Sequence, residues 1–141
     1  MKPEEDAFRL QAESLVLAGD ALLISEKRTE AIVQFQRAAV LYAELLMKPE
    51  LGRVKLKIGE ALLALGKPSE AKFFLGQAHD MLLPWGEPAE VGRCYFAMAH
   101  CQRHAGRLDE AKKSLEAAAF MFEKGGETVL AREAMELARG K

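Results

Sequence analysis

The sequence contains no asparagine, no excess of either charge and no long apolar run. A formal net charge of −1 with 29% charged residues lacks the basic excess with which nucleic-acid-binding proteins neutralise phosphates. No stretch reaches the roughly 18 consecutive apolar residues that indicate a membrane-spanning helix. We therefore expect neither nucleic acid nor a membrane among the partners of this chain.

Cysteine is also scarce, since only Cys94 and Cys101 occur, both within one predicted helix. Their Cα atoms are expected about 10 Å apart, which is too far for a disulfide. Free thiols fit a reducing compartment. The acidic segment 1–6 is followed by no apolar run of signal-peptide length. The sequence thus predicts a cytoplasmic protein.

What the chain does contain is an internal repeat with a period of 40 residues. The dipeptide Glu-Ala recurs at this spacing, at Glu30-Ala31, Glu70-Ala71 and Glu110-Ala111. Each copy is preceded by a small residue and followed by a large apolar residue and an alanine, namely Gly19, Gly59 and Ala99, then Phe35, Leu75 and Leu115, then Ala38, Ala78 and Ala118. A period of this length is typical of stacked repeat proteins.

Each unit is predicted to form two amphipathic helices, because apolar residues fall three and four positions apart and no stretch alternates with period two. Pro49, Pro68 and Pro88 suit a first helical turn, while Gly66 and Gly106 suit the left-handed residue that ends a helix. The predicted helices are Pro3–Ser25, Arg28–Met47, Pro49–Leu65, Pro68–Leu83, Pro88–Ala105, Leu108–Lys124 and 127–139.

The most extended turn is predicted at 84–87, between the second and third units. It contains Trp85, the single tryptophan. A tryptophan at such a position packs over a helix end or contacts a partner, and we favour packing.

One domain, 1–141, is predicted, because the linkers are short and no segment has low complexity. Its parts are repeat one (3–47), repeat two (48–85), repeat three (86–125) and a capping helix (126–141). The last segment continues the register of a first helix without its partner and has a polar outer side. Terminal repeats of a solenoid require such a cap.

This skeleton resembles the tetratricopeptide repeat, whose first helix carries large residues around a glycine and whose second carries an alanine and a phenylalanine. The matching residues are Leu15, Ala18, Gly19, Leu22, Ala31, Phe35 and Ala38, then Ile58, Gly59, Leu62, Ala71, Leu75 and Ala78, then Tyr95, Met98, Ala99, Ala111, Leu115 and Ala118. The repeat is longer than the family's basic unit of about 34 residues, and other residues replace the closing proline. The chain therefore looks like a long-repeat variant.

The resemblance implies an all-α fold, a right-handed α-solenoid of three helical hairpins plus the C-terminal capping helix. It also implies a non-catalytic protein-protein interaction module, because the family binds proteins or peptides. A shared fold does not identify the ligand.

In tetratricopeptide-like stacks the first helices line a concave groove, so the resemblance implies a binding groove for a partner's peptide or helix. The expected groove residues are Glu13, Asp20, Arg53, Lys57, Glu60, Arg93, Phe96, His100, Arg103 and His104. The basic side chains among them are a plausible seat for acidic side chains or a terminal carboxylate. The alternative is that they are merely solvated, with Glu60 pairing with Arg53 or Lys57 on its own helix.

The absence of asparagine excludes the clamp with which chaperone-binding members of the family hold a peptide carboxylate. An apolar stripe along the first helices is interpreted as groove floor or as core packing. Its members are Leu23, Ile24, Leu56, Leu63 and Phe96. If several are exposed together, the expected ligand is amphipathic.

Catalysis and cofactor binding have little support in the sequence. His100, Cys101 and His104 cluster on one helix, but a zinc site needs three or four ligands and no second pair stands at ligand spacing. No Gly-rich phosphate loop and no Ser/His/Asp constellation is present. We expect no enzyme activity and no cofactor, and interpret both cysteines as small core residues.

A structural role through self-assembly is the second hypothesis, because stacked repeats with an unfinished fourth unit can continue into another copy. Exposed apolar residues on the capping helix would favour such a homo-oligomer. The candidates are Val129, Leu130, Met135 and Leu137.

Overall fold

The computed structural model describes residues 1–140 and contains seven α-helices within that range. In chain order they are α1 (Pro3–Ile24), α2 (Arg28–Glu44), α3 (Lys48–Ala64), α4 (Pro68–Trp85), α5 (Pro88–His104), α6 (Leu108–Lys124) and α7 (Thr128–Ala138). No strand occurs in residues 1–140. Lys141, the last residue of the expected capping segment, lies outside the described residues.

The helices stack in chain order. Three hairpins form where α1 packs on α2, α3 on α4 and α5 on α6. The hairpins join through α2 with α3 and α4 with α5, and α7 packs on α6. The prediction of an all-α, right-handed α-solenoid of three hairpins and a capping helix is confirmed. Its apolar interior forms two clusters, one built mainly from α1 to α5 and one from α5 to α7.

Most helix ends share one turn geometry. Gly66 and Gly106 have φ values of 75° and 78°, the left-handed conformation expected of them. The following residue bonds back across the turn, as in Lys67 N–H to Leu62 O at 2.9 Å. This is the Schellman arrangement, which satisfies carbonyls left over at a helix end. Glu26 and Leu46 adopt the same conformation although they are not glycines.

Leu46→Gly is expected to stabilise the fold. Leu46 has a φ of 57° and is 81% exposed, so its side chain adds backbone strain and little packing. A left-handed non-glycine residue costs about 1–2 kcal/mol, and glycine returns part of that through its greater freedom in the unfolded chain. Urea denaturation should show a gain of about 0.5–1 kcal/mol. Leu46→Ala is the control, because alanine keeps the Cβ; an equal gain there would contradict the explanation.

The turn predicted at 84–87 is shorter than expected. Helix α4 continues through Pro84 to Trp85, and Gly86 is the residue that leaves the helix, with an extended backbone. Pro84 cannot donate the backbone hydrogen bond to the carbonyl of Asp80, and α4 ends one residue after it. Trp85 is 60% exposed.

The repeated small residues of the first helices receive large side chains from the second helices. A Cβ added to Gly19 would lie 2.4 Å from the Phe35 ring, and one added to Gly59 would lie 2.6 Å from Leu75. Both large side chains are fully buried. Each glycine thus allows the partner helix to approach closely by leaving room for one large residue.

A second set of such pairs follows the same period and was missed by sequence reasoning. A Cβ on Gly52 would lie 3.0 Å from Leu82, and one on Gly92 would lie 2.8 Å from Phe122. In both pairs the large residue follows its glycine by 30 positions. The sequence therefore contained a second recurring pattern, a glycine followed by a large apolar residue 30 positions later.

At the C-terminal end of the stack, arginines replace the small residues found at two positions of the earlier first helices. Counting 40 residues on from Gly92 and Ala99 gives Arg132 and Arg139, which are both exposed. Long charged side chains occupy the space that another second helix would need for close packing. Helix α7 therefore has the polar outer side that a cap carries.

Candidate functional site

Most of the predicted groove residues come together on α1, α3 and α5, and α3 packs directly on α5. We call this shared surface the first-helix face. It carries Asp20, Arg53, Lys57, Glu60, Arg93, Phe96 and His100.

Ion pairs join neighbouring first helices across this face. Lys57 Nζ on α3 donates to Asp20 Oδ1 on α1 at 2.7 Å. Arg93 on α5 contacts Glu60 on α3 through both ends of its guanidinium, with Nε donating to Oε2 at 3.1 Å. The charges thus connect three successive repeats.

A third pair involves Glu90, which sequence reasoning missed. Arg53 Nε donates to Glu90 Oε2 at 2.6 Å. The other carboxylate oxygen of Glu90 accepts the backbone N–H of Glu87 at 2.9 Å, so the same side chain holds the start of α5. Asp20 and Lys57, like Arg53 and Glu90, stand 37 residues apart. This repeated spacing was the available signal.

The expected basic patch is therefore largely neutralised. Arg53, Lys57 and Arg93 each face a carboxylate from an adjacent helix. Glu60 pairs with Arg93 on α5, and not with Arg53 or Lys57 on its own helix. Such partly exposed pairs are worth up to about 1 kcal/mol each. Their positions suit the alignment of the first helices better than the capture of an acidic ligand.

The remaining predicted residues lie away from these pairs. Glu13 accepts a hydrogen bond from Arg9 Nη1 at 2.7 Å, one turn earlier on α1. Arg103 is exposed at the end of α5. His104 lines a different cavity, beside α4 and α6, whereas His100 lines the first-helix face. Among residues 1–140 no group of three or more potential metal ligands comes together.

An apolar pocket of about 320 Å³ opens on the first-helix face where α3, α5, α6 and α7 meet. The Phe96 ring forms T-shaped contacts with two neighbouring rings. Its centroid lies 4.9 Å from that of His100 and 6.1 Å from that of Phe122. The lining residues are Glu60, Leu63, Arg93, Phe96, Ala97, His100, Phe122 and Leu130. The pocket thus combines an apolar floor with the Glu60–Arg93 pair at its edge. We call it the first-helix pocket.

The apolar stripe of the first helices divides between core and surface. Leu56 is buried in the core. Leu23, Leu63 and Phe96 are half-buried, and Ile24 is 85% exposed. The stripe is therefore core at its centre, and Leu63 and Phe96 supply the apolar wall of the first-helix pocket.

His100 should make stability fall in mild acid. Burial, and next the charge of Arg103, lowers the pKa of His100, while Glu133 opposes the shift. The unfolded chain, with a pKa near 6.5, then takes up a proton before the folded chain does. The free energy of unfolding should therefore drop as the pH falls from about 7 to about 5, and should drop less in His100→Gln. Denaturant titrations of both proteins at each pH test this; equal slopes would contradict it.

Neither cysteine is prepared to act as a nucleophile. Burial raises the pKa of the Cys94 thiol to about 12, and burial also raises the pKa of Cys101. Thiolates are the reactive form, so both side chains are held in the inert form. Their burial confirms the interpretation as core residues.

Comparisons with known proteins agree with the fold. Residues 92–119 match the family model of the tetratricopeptide repeat, and no curated protein matches the chain. No helix within residues 1–140 is long and apolar enough to cross a membrane.

Solved structures of similar fold include the type III secretion translocator chaperone SycD of Yersinia enterocolitica. An alternative dimer of SycD has a TM-score of 0.72 at 22% identity, covering 92% of each chain. SycD in complex with a peptide of the translocator YopD has a TM-score of 0.69 at 22% identity, covering 90% of this chain and 91% of that one. BtubC (BKLC) from P. vanneervenii has a TM-score of 0.69 at 14% identity, covering 91% of this chain and 61% of that one.

Proposed function

We propose that the chain is a non-catalytic module that binds a peptide or helix of a partner protein. Residues 92–119 match the family model of the tetratricopeptide repeat, and the fold is similar to that of SycD. The ligand lies on the first-helix face and places an apolar side chain in the first-helix pocket. That pocket is the observation that carries the proposal.

The support from similar structures is a single case. SycD, whose fold resembles this one, has been solved with a peptide of the translocator YopD. Fold similarity at 22% identity transfers no ligand. It does make a peptide the first class of ligand to test.

The support from the site is its chemistry. Leu63 and Phe96 are half-buried and stand beside each other on neighbouring first helices. A ligand side chain would complete their burial, and an apolar anchor of this kind supplies most of the energy in many interfaces. The pairing of Arg53, Lys57 and Arg93 removes the main reason for an acidic ligand, so we propose an amphipathic one.

A random peptide library selected on the immobilised protein tests the proposal. Enriched peptides should be amphipathic, and Leu63→Glu should weaken their binding roughly tenfold or more, as measured by fluorescence anisotropy. Val33→Glu is the matched control, because Val33 is 49% exposed on a second helix. Circular dichroism must show equal helicity for both variants.

Two results would contradict the peptide-binding proposal. The first is that no peptide is enriched over a column carrying an unrelated helical protein. The second is that Leu63→Glu and Val33→Glu bind the enriched peptides as tightly as the parent does.

Self-association is the second candidate function, and an exposed stripe on α1 favours it. Leu10, Leu17 and Ile24 follow one another at heptad spacing and are 52%, 69% and 85% exposed. These three residues supply one of the two apolar positions per heptad that a coiled-coil seam uses. The opposite end is less suited, because Arg132 and Arg139 stand where another second helix would pack, although Val129 is 72% exposed.

Light scattering over a wide concentration range tests this candidate. Self-association through α1 predicts a molar mass that rises with concentration and stays at the monomer value in Leu17→Glu/Ile24→Glu. Val129→Glu, at the other end, should behave as the parent protein does. A constant monomer mass of 15.6 kDa in the parent protein would rule the candidate out.

A further inference from the structure

We propose that a second cavity, on another face of α5, binds a small carboxylate with an apolar body. The cavity has a volume of about 410 Å³ and opens between α4, α5 and the start of α6. Its lining residues include Lys72, Gly76, Met98, Cys101, Ala105 and Arg107. We call it the outer cavity.

The outer cavity is separate from the first-helix pocket. Helix α5 contributes Met98, Cys101 and Ala105 to the outer cavity. It contributes Phe96 and His100 to the first-helix pocket. Successive residues on a helix are offset by about 100°, so Cys101 points about 100° away from its neighbour His100. The two sets therefore lie on different sides of α5. The inference therefore does not depend on the peptide-binding proposal.

The repeat explains why space exists at this junction. At the preceding junction, 40 residues earlier, the positions of Lys72, Gly76 and Ala105 hold Ile32, Gln36 and Leu65. Ile32 is buried there. At the second junction a longer polar side chain replaces Ile32, and two smaller residues replace Gln36 and Leu65. The residues that line the cavity therefore differ from those of the preceding repeat.

Gly76 is the most informative of these replacements. It lies inside α4, where glycine weakens a helix relative to alanine. A Cβ added to it would meet no atom within 4 Å. Packing within the chain therefore does not require a glycine here, and the space beside Gly76 is open.

The charges at the cavity define the ligand. Lys72 and Arg107 line it together with one carboxylate, that of Glu110, and the His104 ring lies among the lining residues. Arg107 lies 3.8 Å from Glu110. Lys72 has no ion-pair partner within residues 1–140. A ligand carboxylate is therefore the complementary group.

The floor of the outer cavity is apolar and would contact the apolar body of the ligand. Met98 is half-buried and Cys101 is buried, and both line the cavity together with Ala105. The volume falls in the range of about 300–1,000 Å³ that small-molecule sites occupy. An apolar body of a few carbon atoms covers this floor while its carboxylate faces Lys72.

Calorimetry with octanoate and octan-1-ol separates charge recognition from simple apolar binding. Octanoate should bind the parent protein about tenfold more tightly than the alcohol does. Lys72→Gln/Arg107→Gln should remove that difference. Lys67→Gln is the matched control, because Lys67 is the counterpart of Arg107 at the preceding junction, and it should leave the difference unchanged.

The cavity itself is tested by filling it. Gly76→Gln/Ala105→Leu recreates the residues of the preceding junction, where the chain already accommodates them, and keeps every charge. It should weaken octanoate binding about tenfold or more. Equal binding of octanoate and octan-1-ol, no binding of either, or octanoate binding that survives the filled cavity would each overturn the proposal.

A parallel pair of probes identifies the natural source of the carboxylate. N-acetyl-leucyl-leucine and its C-terminal amide present the same apolar side chains with and without the charge. Preference for the free acid over both the amide and octanoate would indicate a peptide C-terminus. Preference for octanoate would indicate a free aliphatic acid. Loss of either preference in Lys72→Gln/Arg107→Gln supports the site, and its persistence contradicts it.

Discussion

Phe35→Ala is expected to lower the free energy of unfolding by about 3–5 kcal/mol. The Phe35 side chain is fully buried and packs against Gly19. Truncation leaves a cavity beside a glycine, so there is little material nearby to relax into it. Single domains are stable by about 5–15 kcal/mol, so the loss is a large fraction of the total. Urea denaturation followed by circular dichroism measures it.

Phe73→Ala is the matched control for this change. Phe73 lies in the first half of α4, as Phe35 lies in the first half of α2, but it is 63% exposed. Surface truncations usually change stability by no more than about 0.5 kcal/mol. Similar losses for the two variants would mean that Phe35 is not the packed centre of the first hairpin.

Gly19→Ala is expected to cost about 1–3 kcal/mol, although alanine is the better helix former. The new Cβ would lie 2.4 Å from the Phe35 ring, well inside contact distance. Phe35 must then leave its position or the two helices must separate. An unchanged or raised midpoint in urea would contradict the close approach described here.

Phe35→Leu should rescue part of that loss. The third hairpin already carries an alanine and a leucine at these positions, Ala99 and Leu115, and both are buried. The double variant Gly19→Ala/Phe35→Leu recreates that pair. It should be more stable than the sum of the two single changes predicts, by about 0.5–3 kcal/mol in a double-mutant cycle. Strict additivity would mean that the residues do not share one space.

The helix ends could be predicted because the residues that begin and end a helix act within a single turn. Gly66 and Gly106 end helices by adopting positive φ, and Pro68 and Pro88 begin them, whatever surrounds the turn. The prediction was wrong where two signals competed. At Pro84 a proline indicated a turn, but α4 continues through Pro84 to Trp85.

The candidate site was predicted only in part. The period placed Lys57, Glu60, Arg93 and Phe96 on the first helices of repeats two and three, and these residues lie on α3 and α5. It did not predict what each charge faces. Asp20 and Lys57 lie on different helices, and their contact depends on how two hairpins are offset, which no local propensity encodes.

By itself the sequence determined the all-α class, the three repeats and the cap. Each repeat makes the same packing contacts with its neighbours, so the residues that make them recur every 40 positions. Only the tertiary structure decided that the basic side chains of the first-helix face are paired and that an apolar pocket lies beside them. It alone decided that the second junction leaves a cavity beside Gly76. Spacing along the chain specifies which residues share a helix face, whereas ion pairs and cavities depend on side chains that meet across helices.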